Sequence, residues 1–519
     1  MSEAGCLRVP LARYPGMNPF VLDWLASSER ATQFLPRGER GPDADATLRP
    51  RRRGLDEALI DALVESNRRW GSFVDDELRS WNEGRTATIV AGQQVGFAGG
   101  PLYTMAKIAS MIRMKRDFES RGMRATIFFW LATEDHDYDE AATLGLPVAS
   151  VPSERSGVNR QVDLVTLKAT RPVASKQVVG PAVIPEALTT ALLALYDLPR
   201  PKWLREGISF ADSFAELVAT AVSEKIVFVD ALLPELRRAG ARLFEQMLAK
   251  CDVMQEALAG RSRALELSGY QPQILPREGN RYTLLFRLDA NGVRHIIDNA
   301  AEVDDPTTIS TSANTRPLLQ DAILHPDVFI GGPSEVAYYA QIAPLHELLG
   351  VPLPRVALRG HALVAPKRVV RLFSRFGIDP ESVFAAPDEI LASHEAAGVE
   401  EVKSLARAAR RDLAARITQI GEIALPAEHA LARAINRSIG HIEYHFDKLT
   451  ERAIRGLVRK DRDRYAAARE LVSTFYPDGH VQDRVVAWFA YWVRFGQHLV
   501  DTLVEEIEPD ADVFKILGL

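Results

Sequence analysis

Cysteine is nearly absent from this chain, whose 519 residues hold only Cys6 and Cys251. Two thiols so far apart in sequence build neither a disulfide framework nor a thiolate zinc cluster, a pattern that fits a reducing cytoplasm. Both are expected to be inert, neither nucleophile nor ligand: Cys6 in an N-terminal extension, Cys251 buried in a helix-like run from Leu243 to Leu258. Long apolar runs are missing too. The stretch Val485 to Val493 is about half the length of a membrane span and reads as a buried helix. The opening MSEAGCLRVPLARYPG lacks the apolar core of a signal peptide. Positive charge is not in excess. A net charge of −6 gives no reason to expect nucleic-acid binding, which usually leaves a basic footprint. The run Arg49, Arg51, Arg52 and Arg53 reads as a solvated loop ahead of a helix near Leu55. Neither GxGxxG nor GxxxxGK[ST] occurs, so the glycine fingerprints of dinucleotide and P-loop sites are not available.

What is present is the composition of a soluble globular protein, 47% hydrophobic and 25% charged, long enough for two or three structural units. Helical patterns precede an apolar, β-branched run at Ala87–Ala91. A helix from Leu102 to Phe118 and a second such run at Thr126–Ala132 complete a βαβ unit. Continuous apolar runs are the mark of parallel strands buried on both faces, so the expected fold class is α/β with an open parallel sheet. Residues 1–143 are read as N-terminal helices plus the first half of this core. The Pro-, Val- and Ser-rich stretch 144–210 reads as an insertion, and 211–377 as the second half of the core. There a short strand ends at Asp230 before a helix at Pro234, a hairpin turns at Ala290–Gly292, and strands end in Gly331–Gly332 and in Arg359–His361. In 378–470 apolar residues recur at three- and four-residue steps on either side of a break at Leu425–Pro426. This predicts an antiparallel coiled-coil hairpin, or else a bundle packed on its own core. His441 and His445 share one turn there, but HIEYH is not a zinc motif and reads as a solvated face. Residues 471–519 are read as C-terminal helices packing on the core.

Two clusters at predicted strand ends carry the chemistry. After the first strand come Gly92, Gln93, Gln94, Gly96, Gly99, Gly100 and Pro101, then a helix start. Small residues admit a ligand to the backbone, helix-start N–H groups suit an anion, and the two amides can both donate and accept. A glycine-rich turn without a ligand is the plain alternative. After the second strand come Glu134, Asp135, His136, Asp137, Asp139 and Glu140. An imidazole among acids at a sheet edge can move protons near neutral pH or touch a phosphate, whereas Thr133 as an N-cap followed by acids is the structural alternative.

Four segments, Gly92–Lys107, Phe128–Glu140, Asn314–Ile342 and Phe475–Arg484, closely resemble in order those of the bacillithiol-biosynthesis cysteine ligase family, often called BshC. The resemblance implies a Rossmann-like core of the class I synthetase (HUP-like) kind, with a connective insertion and a helical coiled coil. It also implies a cytoplasmic enzyme that joins L-cysteine to the amine of glucosaminyl-malate. Joining a carboxylate to an amine requires a leaving group. ATP is therefore the expected cosubstrate, Mg can accompany the nucleotide, and no dedicated metal site is expected. The residues expected to take part in catalysis are Gln94, Lys107, Asp135 and His136. Gln93, Gly99, Gly100, Thr104, Glu134, Asp137 and the N–H groups of the Gly99–Leu102 turn are expected to bind substrate or nucleotide. Arg316 and Arg359 suit a malyl dicarboxylate, because a guanidinium grips carboxylate in two places; Gly331, Gly332, Glu335 and Tyr338 would complete the wall. Ordinary ion pairs are the alternative for both arginines. Neither HxGH nor a KMSKS-like loop is present, so synthetase chemistry is an analogy. Two other functions fit the same residues, a metal-dependent hydrolase built on Glu134–Glu140 and a non-catalytic nucleotide-binding scaffold. The expected partners are small molecules and a second copy of the chain docked through the coiled coil.

Overall fold

The computed structural model describes residues 7–38, 54–149, 162–171, 176–274, 283–297, 305–392, 398–424, 431–458 and 462–519. Cys6, the arginine run at 49–53 and the break at Leu425–Pro426 lie outside the described residues. The strands in chain order are β1 (Leu7–Pro10), β2 (Ala87–Gln93), β3 (Ala125–Leu131), β4 (Thr143–Ala149), β5 (Val162–Lys168) and β6 (Val227–Asp230). They continue with β7 (Leu285–Leu288), β8 (Arg294–Ile296), β9 (Ile309–Thr311), β10 (Val328–Gly331), β11 (Arg355–Leu358), β12 (His361–Ala365) and β13 (Val513–Gly518).

The central sheet has five parallel strands in the order β11-β10-β2-β3-β6. Every residue of β3 is buried, as are all but the last of β2, which is why both read as unbroken apolar runs. Helix Leu102–Ser120 links them and stops at Arg121–Gly122, where Gly122 takes a φ of +81° that a side chain would resist. The chain runs outward from β2 through β3 to β6, then returns to place β10 on the other side of β2. The crevice between the carboxyl ends of β2 and β10 is therefore the topological switch point, where open α/β sheets bind ligands.

Strands β4 and β5 pair antiparallel, and β7, β8 and β9 make a small antiparallel sheet. The hairpin expected around Ala290–Gly292 is the β7–β8 pair. Two elements differ from expectation. The opening segment contributes a strand, because β1 pairs with β13 beside β12. The segment from Arg355 to His361 is two strands in two sheets, since the chain turns at Gly360, where a Cβ would lie 2.2 Å from Ile507.

Beyond β12, helices Val399–Ala424 and Leu431–Val458 pair antiparallel, with Arg410 Nη1 2.8 Å from Asp447 Oδ1 and Gly398 beside Leu457. Leu413, Ile417, Ile439, Ile442 and Phe446 line the seam. His441 and His445 are exposed, in keeping with a solvated face. The last segment folds back on the core: helices Trp488–Phe495 and Gln497–Glu506 cover helix Leu102–Ser120, which is consequently buried nearly all round. Among the described residues no helix is long and apolar enough to cross a membrane. Cys251 is half-buried at the first position of helix Cys251–Leu267, a correction to the expected buried site; the expected single run breaks at Lys250 into two helices.

Candidate active-site cleft

A cleft of ≈ 580 Å³ opens at the carboxyl edge of the central sheet, an ordinary size for a small-molecule site. Its floor is the ends of β2 and β10, with Gly92, Gln93, Gln94 and Gly332. One wall follows β3 with Glu134, Asp135 and His136, and the other carries Arg316, Glu335, Tyr338 and Arg359. Sequence segments more than two hundred residues apart thus share one crevice, as a switch point requires.

Lys107 is the fixed point of the floor. Its ammonium donates to Gly92 O at 2.8 Å and to Gln93 Oε1 at 2.9 Å, and it pairs with Glu335. Three donors meet three acceptors, so Lys107 has no hydrogen to spare for a phosphate. Burial draws its pKa below the ordinary lysine value and Glu335 opposes that shift. Glu335 also accepts from Gly332 N at 2.8 Å, capping helix Pro333–Leu349. One lysine therefore ties the end of β2 to the end of β10.

The acidic cluster fans out instead of converging. Glu134 is buried and turned inward: it accepts from Ser310 Oγ at 2.9 Å, from Thr311 N at 3.0 Å and from Thr311 Oγ1, with Arg237 Nη2 3.5 Å away. Asp135 accepts from the amides of His136 and Asp137 at 2.6 and 3.1 Å. Asp137, not Thr133, is the N-cap, taking Glu140 N at 2.9 Å for the short helix Tyr138–Ala141. Among the described residues no three His, Cys, Asp or Glu side chains are grouped to hold a metal ion. Glu140 does face the cleft, and burial together with Asp137 and Asp135 raises its pKa. His136 sits at the rim, its Nδ1 3.1 Å from Nη1 of the buried Arg294.

The opposite wall holds the cations. Arg359 is buried and pairs with Asp483 at 2.7 Å, so the ordinary ion pair is realised there although the residue still lines the cleft. Arg316, at the first position of helix Arg316–Leu324, has no ion-pair partner among the described residues; its guanidinium makes one 3.5 Å contact with Gln320 there. Arg484 likewise has none. Beside Arg316 the Tyr338 hydroxyl is buried without a partner among the described residues, and burial raises its pKa. Two unpaired guanidinium groups and an unsatisfied phenol on one wall suit an anionic ligand.

Five expected residues stand outside the cleft. Gly99 and Gly100 pack beneath the C-terminal helices, where Trp488 Nε1 donates to Gly99 O at 3.0 Å. The turn offers no free amide: Gly99 N, Gly100 N and Leu102 N bond to Gly96 O, Phe97 O and Val486 O, and Pro101 has none. The expected phosphate cradle is thus a packed turn. Thr104 is fully buried beside it, Asp137 is the cap, and Gly331 is covered by Glu335 and Phe329. The amides do reach the cleft, but they are partly committed. Gln93 Nε2 donates to Tyr103 OH at 3.2 Å and Gln94 Nε2 to Asp137 O at 2.6 Å. Sequence reasoning missed Arg294, Gln273, Ser312 and Arg484. Only Arg484 carried a signal, as the last residue of the fourth family-like segment, Phe475–Arg484.

An open parallel α/β sheet with an anion-complementary cleft at its switch point defines a ligand-handling Rossmann-like protein. The family model described as "Bacillithiol biosynthesis BshC, N-terminal Rossmann-like domain" matches residues 7–360, and that for the BshC C-terminal coiled-coil domain matches 362–519. The chain belongs to the BshC family. It is similar to proteins named "Putative cysteine ligase BshC" in three bacteria. The Solibacter usitatus protein is 27% identical over 458 residues, covering 83% of this chain and 84% of the relative. That of Koribacter versatilis is 27% identical over 525 residues, covering 96% and 97%. That of Staphylococcus aureus strain JH9 is 25% identical over 436 residues, covering 76% and 78%.

Proposed function

We propose that this chain is a ligase that joins the carboxyl of L-cysteine to the amine of glucosaminyl-malate, in bacillithiol biosynthesis, within the switch-point cleft. The observation that carries the reading is the wall of Arg316, Arg484 and Tyr338. It presents unpaired donors where a malyl dicarboxylate would be gripped, opposite the His136 rim. Family membership and the names of the relatives supply the reaction.

A carboxylate is a poor electrophile, so the reaction needs ATP to convert the cysteine carboxyl into an acyl-phosphate or acyl-adenylate. The amine nitrogen then attacks the carbonyl, the C–N bond forms as the C–O bond to the phosphate or adenylate breaks, and the amine proton leaves to solvent or to a base. With the Gly99–Leu102 amides and Lys107 committed, the cations left for nucleotide phosphates or their Mg complex are those of the arginine wall. The site reads as cytoplasmic small-molecule chemistry. The second copy of the chain is expected on the helical hairpin, which leaves Leu405, Ile420, Ile423 and Leu449 exposed.

The test is mass spectrometry of the purified full chain incubated with L-cysteine and glucosaminyl-malate, with ATP and without it. Amide product in the ATP arm alone is expected, and ADP or AMP in that arm identifies the activated intermediate. Folded protein that makes no amide with any nucleotide contradicts the reading.

A further inference from the structure

The partner of His136 decides which of its nitrogens is left for the cleft. Arg294 Nη1 lies 3.1 Å from Nδ1. A guanidinium has only donors, so Nδ1 must turn its lone pair toward it, and the hydrogen of the neutral ring then resides on Nε2. Asp135 Oδ1, the acceptor that would favour the opposite tautomer, is the more distant partner, at 3.6 Å from Nδ1 against 3.1 Å for Arg294. Its lone pairs are already directed at the amides of His136 and Asp137.

Arg294 is not free to leave. It is buried on β8, its Nη2 donates to Thr311 O, and its guanidinium sits 4.0 Å over the ring of Phe286. Thr311 is in turn held by Glu134 through both its amide and its hydroxyl. The chain Glu134, Thr311, Arg294, His136 thus runs from the buried foot of the cleft wall to its rim.

We propose that Arg294 is a positioning residue that holds His136 as its Nε2–H tautomer, so that His136 meets the reacting carboxyl or its phosphate as a neutral hydrogen-bond donor and not as the base that takes the amine proton. What the donor meets rests on the ligase reading of the cleft; the tautomer is a property of the free protein. A fixed donor aimed at developing negative charge needs no reorganisation during the reaction.

Histidine-selective ¹⁵N labelling of the full chain gives the test. Long-range ¹H–¹⁵N correlation spectra near neutral pH distinguish the two neutral tautomers and the cation. Loss of one ring in His136→Gln assigns the signal among the 11 histidines. The expected wild-type pattern is a neutral ring protonated at Nε2. In Arg294→Gln the ring should shift toward a mixture of forms and kcat should fall on the order of 10² with KM little changed, while Arg294→Lys, which keeps a donor, should recover part of both. A wild-type ring protonated at Nδ1, or doubly protonated, overturns the proposal whether or not any variant folds. Nε2–H without amide product leaves the hold of Arg294 standing and removes the ligase reading instead.

Discussion

Among single residues, Lys107 and Arg316 show how differently two cations lining one cleft can be used. Lys107 is saturated by Gly92, Gln93 and Glu335, so Lys107→Met would strand a carboxylate that is only 24% exposed. Breaking such a pair costs roughly 3 kcal/mol. Thermal denaturation should show a clear fall in Tm, with partial recovery in Lys107→Met combined with Glu335→Gln; an unchanged Tm in the single variant would show that the pair contributes nothing. Arg316 has no ion-pair partner among the described residues. Arg316→Gln should therefore leave Tm in place and raise KM for glucosaminyl-malate by about tenfold or more, the worth of a hydrogen bond to a charged group. An unaltered KM would remove Arg316 from the acceptor site. Both residues were candidates from sequence, but the acceptors that occupy Lys107 were not legible there, because Glu335 reaches it from a helix more than two hundred residues away.

At the scale of elements, β2, β3, β6 and the helix between the first two were legible because burial on both faces leaves an unmistakable apolar run. Strands paired over long sequence distances were not. Residues of β1 alternate in burial, and their partner β13 lies some five hundred residues away, so no local pattern announces the pair. The Gly99–Gly100 turn was legible as a turn and misread as a cradle, since the same absence of a Cβ serves close packing as well as ligand approach. Gly99 has a φ of +81°, and a Cβ there would lie 2.4 Å from Trp488 Nε1. Gly99→Ala should cost at least about 1–3 kcal/mol, readable as a lowered denaturation midpoint. Wild-type stability in that variant would mean that the C-terminal helices do not rest on the turn.

For the molecule as a whole, the cleft is assembled from the start, middle and end of the chain. The acidic cluster and the glutamine pair were found from sequence because each follows a strand. Arg484 and Arg294 were missed because neither does so within the central sheet: one arrives on the returning C-terminal segment, the other on a small separate sheet. The helical hairpin is the other whole-molecule feature, and Ile423 on it is 82% exposed. If a second copy covers that face, light scattering at micromolar concentration should give twice the mass of one chain, and Ile420→Glu with Ile423→Glu should halve it. A monomeric wild type would exclude the dimer.

The central claim is that the switch-point cleft makes the amide. Initial rates of thiol product measured by mass spectrometry, for wild type, Gln94→Ala and His136→Ala of matched Tm, test it most directly. Both side chains line the cleft and neither belongs to the apolar core, so each variant should stay folded and lose turnover on the order of 10². Undiminished product from both folded variants would contradict the assignment of the reaction to this cleft.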